Sequence, residues 1–386
     1  MIRAIWLAFL VLAAPSALAA ETVVTSTIRM RTEKPLVAAS RVADWQLGAM
    51  SGAGITRNAS ETREARGWVR AAFWIGLTEL ADRSGPNNRF TAALMAMGRS
   101  NDWRPGDRVY HADDQAVSQV YLWAAKHSAG AAAIGPTRAR LDAILARPPR
   151  VNLAFYVPPR GGYDSTECLV RWCWCDAIFM APPAWLELSR QTGDPRYARF
   201  AMRETWATVD FLYDPAERLF YRDSRFFERR DAEGRKLFWS RGNGWVFAGF
   251  ARMIPLLPKR SPDRLRLEAL FKEMAERLVA LQKPDGYWAP SLLAPQNSPT
   301  ESSGTGFFTY GLAWGVKSGL LDRARYEPSA RRGWQALLRA VQPDGKLGWV
   351  QQVSDRPEQV AEGDTQFYGV GAFLLAASAI HDLDQR

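Results

Sequence analysis

Residues Trp172-Cys173-Trp174-Cys175-Asp176-Ala177-Ile178-Phe179-Met180-Ala181-Pro182 place one carboxylate between indole rings and an apolar run. A short polar residue immediately before apolar residues is typical of a helix N-terminus. The stretch therefore predicts an apolar helix with Asp176 at its entrance. An acid withdrawn from water beside aromatic rings that can stack on a sugar favours carbohydrate chemistry.

The same arrangement recurs along the chain, and its repetition decides the predicted fold. Polar segments that contain glycine or aspartate lead into apolar helical stretches, each followed by an amphipathic helix, and these entrances lie near Gly67, Asp114, Asp176, Gly244, Gly306 and Tyr368. They are 47 to 68 residues apart, which is a loose repeat with loops of variable length. We predict six helical hairpins.

Local start and stop signals support a mostly helical chain. Asp194-Pro195 and Ser261-Pro262-Asp263 each pair an N-cap residue with proline at the first helical position. Residues 282–288 and 342–349 contain Pro-Asp-Gly, which ends a helix and turns the chain back. Alternation with a period of two is scarce. We therefore predict an all-α protein, an (α/α)6 barrel of six helical hairpins in a single domain, with the glycine-rich entrances at its mouth.

The N-terminus predicts export. Arg3 precedes an apolar run over residues 5–12, and Ala17-Leu18-Ala19 offers small residues for cleavage, so we expect a signal peptide at 1–19 and the barrel domain at 20–386. The apolar run is too short to span a membrane. The protein is expected to be periplasmic or secreted, with no membrane insertion after signal cleavage.

Charge and cysteine content restrict the partners. A formal net charge of +10 favours anions, and the absence of a lysine-rich tail together with 16 tryptophans disfavours nucleic acid. We expect an acidic oligosaccharide and make no prediction of oligomeric state. A zinc site would need a fourth ligand beside the three clustered cysteines, so we expect no metal and no cofactor, and either buried thiols or one local disulfide among Cys168, Cys173 and Cys175.

Four ordered blocks carry a more specific signal: Trp174-Cys175-Asp176-Ala177-Ile178-Phe179-Met180-Ala181-Pro182-Pro183, Trp239-Ser240-Arg241-Gly242-Asn243-Gly244-Trp245, Ser303-Gly304-Thr305-Gly306-Phe307-Phe308-Thr309-Tyr310 and Gly363-Asp364-Thr365-Gln366-Phe367-Tyr368-Gly369-Val370-Gly371. Together they resemble glycoside hydrolase family 105, the unsaturated rhamnogalacturonyl hydrolases, which are related to the unsaturated glucuronyl hydrolases of family 88. The resemblance extends from about residue 40 to the C-terminus.

The resemblance implies an unusual reaction on oligosaccharides left by polysaccharide lyases, which end in a 4,5-unsaturated uronic acid. A carboxylic acid protonates the enol ether at C4, water adds at C5, and the resulting hemiketal opens to release the sugar. Ordinary glycosidases instead use two carboxylates at the anomeric centre.

By its position in the blocks, Asp176 matches the family's general acid/base. The neighbouring Trp172, Trp174 and Phe179 would disfavour its ionised form and raise its pKa, which agrees with that role. N-capping is the structural alternative, because aspartate is a good cap residue.

The segment His111-Ala112-Asp113-Asp114-Gln115 matches the family block that supplies a second carboxylate. Two adjacent acids cannot both point inward from one helix face, so we expect one to be catalytic and the other a cap, and both Asp113 and Asp114 remain candidates.

Aromatic and basic residues in the same blocks are candidates for binding substrate. Arg241 lies between Trp239 and Trp245 and matches the family's substrate-binding arginine, and a glycine beside it permits close approach. Arg222 stands where related enzymes carry histidine, and Thr166 stands where they carry lysine, which leaves the sugar of the next subsite open. The expected substrate-binding residues are His111, Trp174, Arg222, Trp239, Arg241, Gly242 and Trp245.

Two other classes of protein share parts of this pattern. Polysaccharide lyases and sugar epimerases also use helical toroids, although an epimerase would be expected to use several histidines and only His111 lies near an entrance. A non-catalytic saccharide-binding protein would keep the tryptophans without needing an embedded carboxylate.

Overall fold

Two concentric layers of helices form the part of the chain that the computed structural model describes, residues 33–52, 54–55, 60–294 and 298–385. The predicted signal peptide lies outside these residues. The helices are α1 Pro35–Gly48, α2 Ser60–Arg63, α3 Trp68–Arg83, α4 Arg89–Ser100, α5 Ala112–Gln115, α6 Ser118–Ala124, α7 Gly130–Ala146, α8 Ala177–Met180, α9 Pro182–Thr192, α10 Pro195–Leu212, α11 Ser240–Met253, α12 Pro262–Leu281, α13 Ser302–Lys317, α14 Arg323–Ala340 and α15 Phe367–Asp384. A small antiparallel pair joins β1 Tyr213–Asp214 to β2 Leu219–Phe220.

The inner layer is a closed ring. Its six positions are taken by α3, by α5 with α6, by α8 with α9, and by α11, α13 and α15, and each position packs against the next. Helix α15 packs against α3 and completes the ring. The two helices approach so closely that a Cβ on Gly76 would lie only 2.4 Å from the Gly371 carbonyl oxygen. These helices are buried almost all round, as their apolar sequences predict.

The outer layer consists of α4, α7, α10, α12, α14 and α1. The predicted (α/α)6 barrel in a single domain is confirmed, but the sixth hairpin closes differently from the order expected along the chain. The last inner helix, α15, has no helix after it within the described residues and instead packs against α1, the first helix described. Both ends of the described chain therefore meet in one hairpin.

The predicted start signals are confirmed at the outer helices. The side chain of Asp194 accepts a hydrogen bond from the Arg196 backbone N–H, and that of Ser261 accepts one from Arg264. Among the entrances, Gly67 and Asp176 directly precede helices, whereas Gly244 and Gly306 lie one turn inside α11 and α13.

The two Pro-Asp-Gly segments reverse the chain after α12 and α14, as predicted. Gly286 and Gly345 take positive φ values of 90° and 99°, which glycine tolerates without the steric cost of a side chain. Over the residues that the structure describes, no helix is both long and apolar enough to cross a membrane.

Candidate active site

A cavity of about 760 Å³ opens where the N-terminal ends of the inner helices meet. Helix N-termini carry partial positive charge, so this end of the barrel favours an anionic ligand. Seven residues singled out from the sequence line the cavity: His111, Asp113, Asp114, Trp174, Asp176, Arg222 and Trp239.

Asp176 is 5% exposed and immediately precedes α8. Its side chain makes no capping hydrogen bond, so the capping alternative is wrong for this carboxylate. Burial raises the pKa of Asp176, against a lowering by the nearby Arg222 guanidinium, whose Nε lies 3.6 Å from Oδ2. The buried thiol of Cys175 donates to the same oxygen at 3.6 Å. Asp176 is therefore an acid that retains its proton to a higher pH than an ordinary carboxyl group.

Asp113 and Asp114 differ in their surroundings. Asp113 lines the cavity, and burial, with a further contribution from the negative charges of Asp114 and Asp176, raises its pKa to about 7. Asp114 has both oxygens engaged: Oδ1 accepts from the Arg108 guanidinium at 2.7 Å and 3.0 Å, and Oδ2 accepts from the Arg108 backbone N–H at 2.7 Å. Asp113 is thus the carboxyl group coupled to Asp176, and Asp114 holds a turn.

The expectation that one of these two acids caps the helix is wrong, because His111 is the cap. Its Nδ1 accepts a hydrogen bond from the Asp113 backbone N–H at 3.3 Å, which assigns the ring proton to Nε2. Burial lowers the pKa of His111 well below its usual value, so the ring is neutral. It packs against Trp174, with ring centroids 4.8 Å apart. Within the described structure Nε2 has no partner, and it is available to donate to a ligand in the cavity.

Arg222 contacts both an acidic and an aromatic side chain beside the cavity. Nη1 donates to Asp223 at 2.7 Å and Nη2 donates to the Tyr163 hydroxyl at 2.6 Å. Nε finds no hydrogen-bond acceptor among the described residues, although it lies nearest to Asp176. The fixed guanidinium therefore presents one free N–H beside the acid.

We expect Arg222→Ala to lower kcat/KM by about 10- to 100-fold, because a charge-assisted hydrogen bond is worth roughly 1.5–3 kcal/mol. The change should also raise the pKa of Asp176, since the Arg222 charge lowers it. Steady-state kinetics over a range of pH values would measure both effects. Arg225→Ala is a matched control, because Arg225 shares the Asp223 partner but does not line the cavity. Equal losses of kcat/KM in the two variants would mean that Arg222 contributes only through its ion pair with Asp223.

Three of the expected binding residues lie behind the cavity wall. Arg241 is fully buried, and its Nη1 and Nη2 donate to the carbonyls of Gln351 and Gln352 at 2.8 and 2.9 Å. Gly242 and Trp245 are also absent from the cavity lining. Direct substrate contact by these three residues stays a prediction. In the structure the Arg241 guanidinium lies between the rings of Trp239 and Tyr368 and supports the backbone of the 351–352 segment.

Several lining residues were not expected from the sequence. Trp68 is the first residue of α3, and the others come from segments without regular patterns. These others include Glu64, Arg108, Tyr163, Asp164 and residues 353–356 and 358. The charged run Asp355-Arg356 lies between two of the family-like blocks, and its charge was the one signal that could have marked this segment as part of the mouth.

The cysteines adopt one of the two expected arrangements. Cys168 and Cys173 form a disulfide, and Cys175 is a buried free thiol whose pKa burial raises. The disulfide closes the loop that leads to Trp174 and Asp176. Within the described ranges, no group of three or more His, Cys, Asp and Glu side chains is arranged to hold a metal ion.

Comparison with known proteins agrees with this geometry. A model of Glycosyl Hydrolase Family 88 matches residues 38–383. A relative from Alteromonas sp. (strain LOR), named unsaturated 3S-rhamnoglycuronyl hydrolase, is 42% identical over 323 residues, covering 83% of this chain and 78% of that protein.

Two solved structures extend the comparison to the fold. A glycosyl hydrolase family 88 protein from Bacteroides vulgatus superposes with a TM-score of 0.77 at 26% identity, covering 91% of this chain and 100% of that one. A protein named a polysaccharide lyase superposes with a TM-score of 0.76 at 27% identity, covering 92% and 97%. The resemblance carried by the four sequence blocks is thereby confirmed, and the chain belongs to glycosyl hydrolase family 88.

Proposed function

We propose that the protein is a glycoside hydrolase that removes a 4,5-unsaturated uronic acid from the non-reducing end of polysaccharide-lyase products, with Asp176 as the acid that protonates C4 of the enol ether. Protonation creates positive charge at C5, and water adds there. The hemiketal that results opens to a keto sugar and releases the rest of the oligosaccharide.

One observation carries this proposal: two carboxyl groups of raised pKa, the buried Asp176 and the largely buried Asp113, face one cavity on the side where an arginine and helix N-termini favour an anion. A buried carboxylic acid can donate a proton near neutral pH, which an exposed one has already lost. Asp113 is proposed to share the proton of the pair and to orient the attacking water. His111, Trp174, Arg222 and Trp239 are proposed to bind the uronate and its neighbour.

The names of two relatives support a proposal for the substrate class. The protein from Alteromonas and a second relative from Formosa agariphila, 37% identical over 329 residues, are both named unsaturated 3S-rhamnoglycuronyl hydrolase. We propose the same class of substrate here, with a rhamnose-type residue beside the unsaturated uronate. The N-terminal sequence supports export to the periplasm or the medium, where lyase products of an extracellular polysaccharide would be met.

The pH dependence of turnover tests the proposed acid. Because the pKa of Asp113 is raised to about 7 and that of Asp176 is also raised, the pair keeps its last proton where an isolated carboxylic acid would be ionised. We expect kcat to stay high up to about pH 7 and to fall above it. A kcat that rises steadily through neutral pH into the alkaline range would contradict proton donation by this pair.

A panel of unsaturated oligosaccharides from different lyases would test the function itself. Loss of the conjugated absorbance with release of a keto sugar is the expected result. The structural neighbour named a polysaccharide lyase makes the lyase alternative worth testing in the same assay. A lyase acting on intact polysaccharide would create the conjugated absorbance, so the sign of the change distinguishes the two activities.

A further inference from the structure

The inner helix that carries Asp176 is broken one turn after the acid. Helix α8 contains four residues and ends at Met180, and α9 begins with Pro182 and Pro183. Neither proline has an N–H, so the carbonyls of Ile178 and Phe179 cannot receive the hydrogen bond that a continuous helix would supply. Buried carbonyls left in this way need other donors.

Gln119 supplies the missing donor for the Phe179 carbonyl. Its side chain is 6% exposed, and Nε2 donates to the Phe179 carbonyl at 2.8 Å and to the Met180 carbonyl at 3.2 Å. Phe179 in turn donates its backbone N–H to the Asp176 carbonyl at 3.0 Å. Only about one helical turn, roughly 5 Å along the helix axis, therefore separates the carbonyl that Gln119 binds from the proposed catalytic residue.

The amide is itself held in place by a side chain of α11. Gln119 Oε1 accepts from Arg252 Nε at 3.0 Å, and Arg252 Nη1 donates to Glu79 at 3.1 Å. Glu79 also accepts from Arg83, whose guanidinium donates to Asp382. These contacts join α6, α11, α3 and α15, so four positions of the inner ring fix the orientation of one side chain.

Two cavities meet at this network. Gln119, Arg252 and Glu79 line a second cavity of about 440 Å³ at the opposite end of the barrel, whereas Met180 lines the candidate active site. The contact of Gln119 with the Met180 carbonyl therefore lies in the floor between them. A movement of that floor would displace α8, and Asp176 with it.

We propose that Gln119 is a positioning residue: its amide holds the broken end of α8 and thereby fixes the carboxyl group of Asp176 in the cavity. This inference rests on the proposed role of Asp176 but concerns a residue that lines the other cavity. A displacement of the reacting group by about 1 Å can cost about 100-fold in rate, so the effect should appear in kcat.

Gln119→Leu should lower kcat by roughly 10- to 100-fold and change KM by less than about 3-fold. Gln119→Glu separates the two contacts, because a carboxylate still accepts from Arg252 but cannot donate to the α8 carbonyls. The same loss in kcat is expected if donation to α8 is what matters, and a near-normal kcat in Gln119→Glu would overturn the proposal. Should Gln119→Leu fail to fold, Arg252→Met, which releases the amide, is expected to lower kcat about 3- to 10-fold, and an unchanged kcat there would also overturn it.

Gln191→Leu is the matched control. Gln191 Nε2 donates to the Leu122 carbonyl at 2.9 Å and so joins two inner helices in the same way, without contacting α8. Its loss should lower the melting temperature and leave kcat nearly unchanged. An equal fall in kcat for Gln191→Leu would show that any loosened inner helix slows turnover, and would overturn a specific role for Gln119.

The dependence on Asp176 can be tested directly. In an Asp176→Asn background, Gln119→Leu should have little further effect on the residual rate, since both changes act through the same group. Wild-type protein without activity on the oligosaccharide panel would contradict the proposed function. An active wild type, an inactive Asp176→Asn and a normal Gln119→Leu would contradict only the positioning role.

Discussion

Asp176→Asn should give a folded protein that binds unsaturated oligosaccharide and turns it over at least about 10³- to 10⁴-fold more slowly than wild type. The amide has the size of the acid and most of its hydrogen bonding, but it cannot donate the proton that the enol ether requires. We expect a loss at the upper end of the usual range for acid–base catalysis because Asp176 is proposed to serve both protonation and water addition.

The surroundings of Asp176 predict that this substitution spares stability. Its side chain makes no capping hydrogen bond, and its closest charged neighbour, Arg222, keeps its partners Asp223 and Tyr163. Burial of the carboxyl group already favours the neutral form, which an amide imitates. The melting temperature of the variant should therefore lie within a few degrees of that of the wild type.

Calorimetric binding of substrate to the variant, with absorbance-based turnover of both proteins, would measure the two halves of this prediction. Retained affinity with lost turnover assigns Asp176 to catalysis. A folded variant with near-normal turnover would instead require a different acid in the same cavity. Lost affinity with a normal melting temperature would make Asp176 a binding residue.

The fold could be predicted because its signals are local. Asp194 and Ser261 cap helices through their own side chains, and each Pro-Asp-Gly turn needs only its own residues. The inner helices are apolar on all sides, which indicates that they are buried on all sides, and a ring of helices covered by an outer layer provides that burial. The partner of the last inner helix could not be predicted in this way, because α1 and α15 lie at opposite ends of the chain and share no local pattern.

The sequence could predict a site residue where its chemistry and its place in a motif both indicate the role. It was less informative where contacts with distant residues determine the role. Asp176 is an acid at a helix entrance in any reading of its block. Arg241 has the charge and the aromatic neighbours expected of a binding residue. Its guanidinium is nevertheless held inside the protein by the carbonyls of Gln351 and Gln352, which are 110 or more residues away in the sequence. Tyr163 lies in a segment without a periodic pattern, and only the folded chain shows that it contacts Arg222.

Asp113→Asn should lower kcat by about 10²- to 10³-fold, whereas Asp114→Asn should leave kcat within about 10-fold of wild type. Asp113 is coupled to Asp176 in the cavity, and Asp114 is committed to Arg108 through both oxygens. The two adjacent side chains point in directions about 100° apart around the helix, and the sequence alone does not show which of them points into the cavity. Turnover of the two purified variants on the same substrate would decide the assignment, and a reversed order of kcat values would exchange the roles.

Stability should change in opposite directions in the same pair of variants. The pKa of Asp113 is raised in the folded state, so its contribution to stability is present below its unfolded pKa and is lost as pH rises through about 7. Asp113→Asn removes that loss. Its free energy of unfolding should be about 1–3 kcal/mol higher than that of the wild type at pH 8 and nearly equal to it at pH 4. Asp114→Asn instead weakens the ion pair between the buried Asp114 carboxylate and the partly exposed Arg108, and should cost about 1–3 kcal/mol. Denaturant unfolding at the two pH values would measure both effects, and a destabilised Asp113→Asn at pH 8 would mean that this carboxyl group is held ionised, with Asp176 keeping the proton.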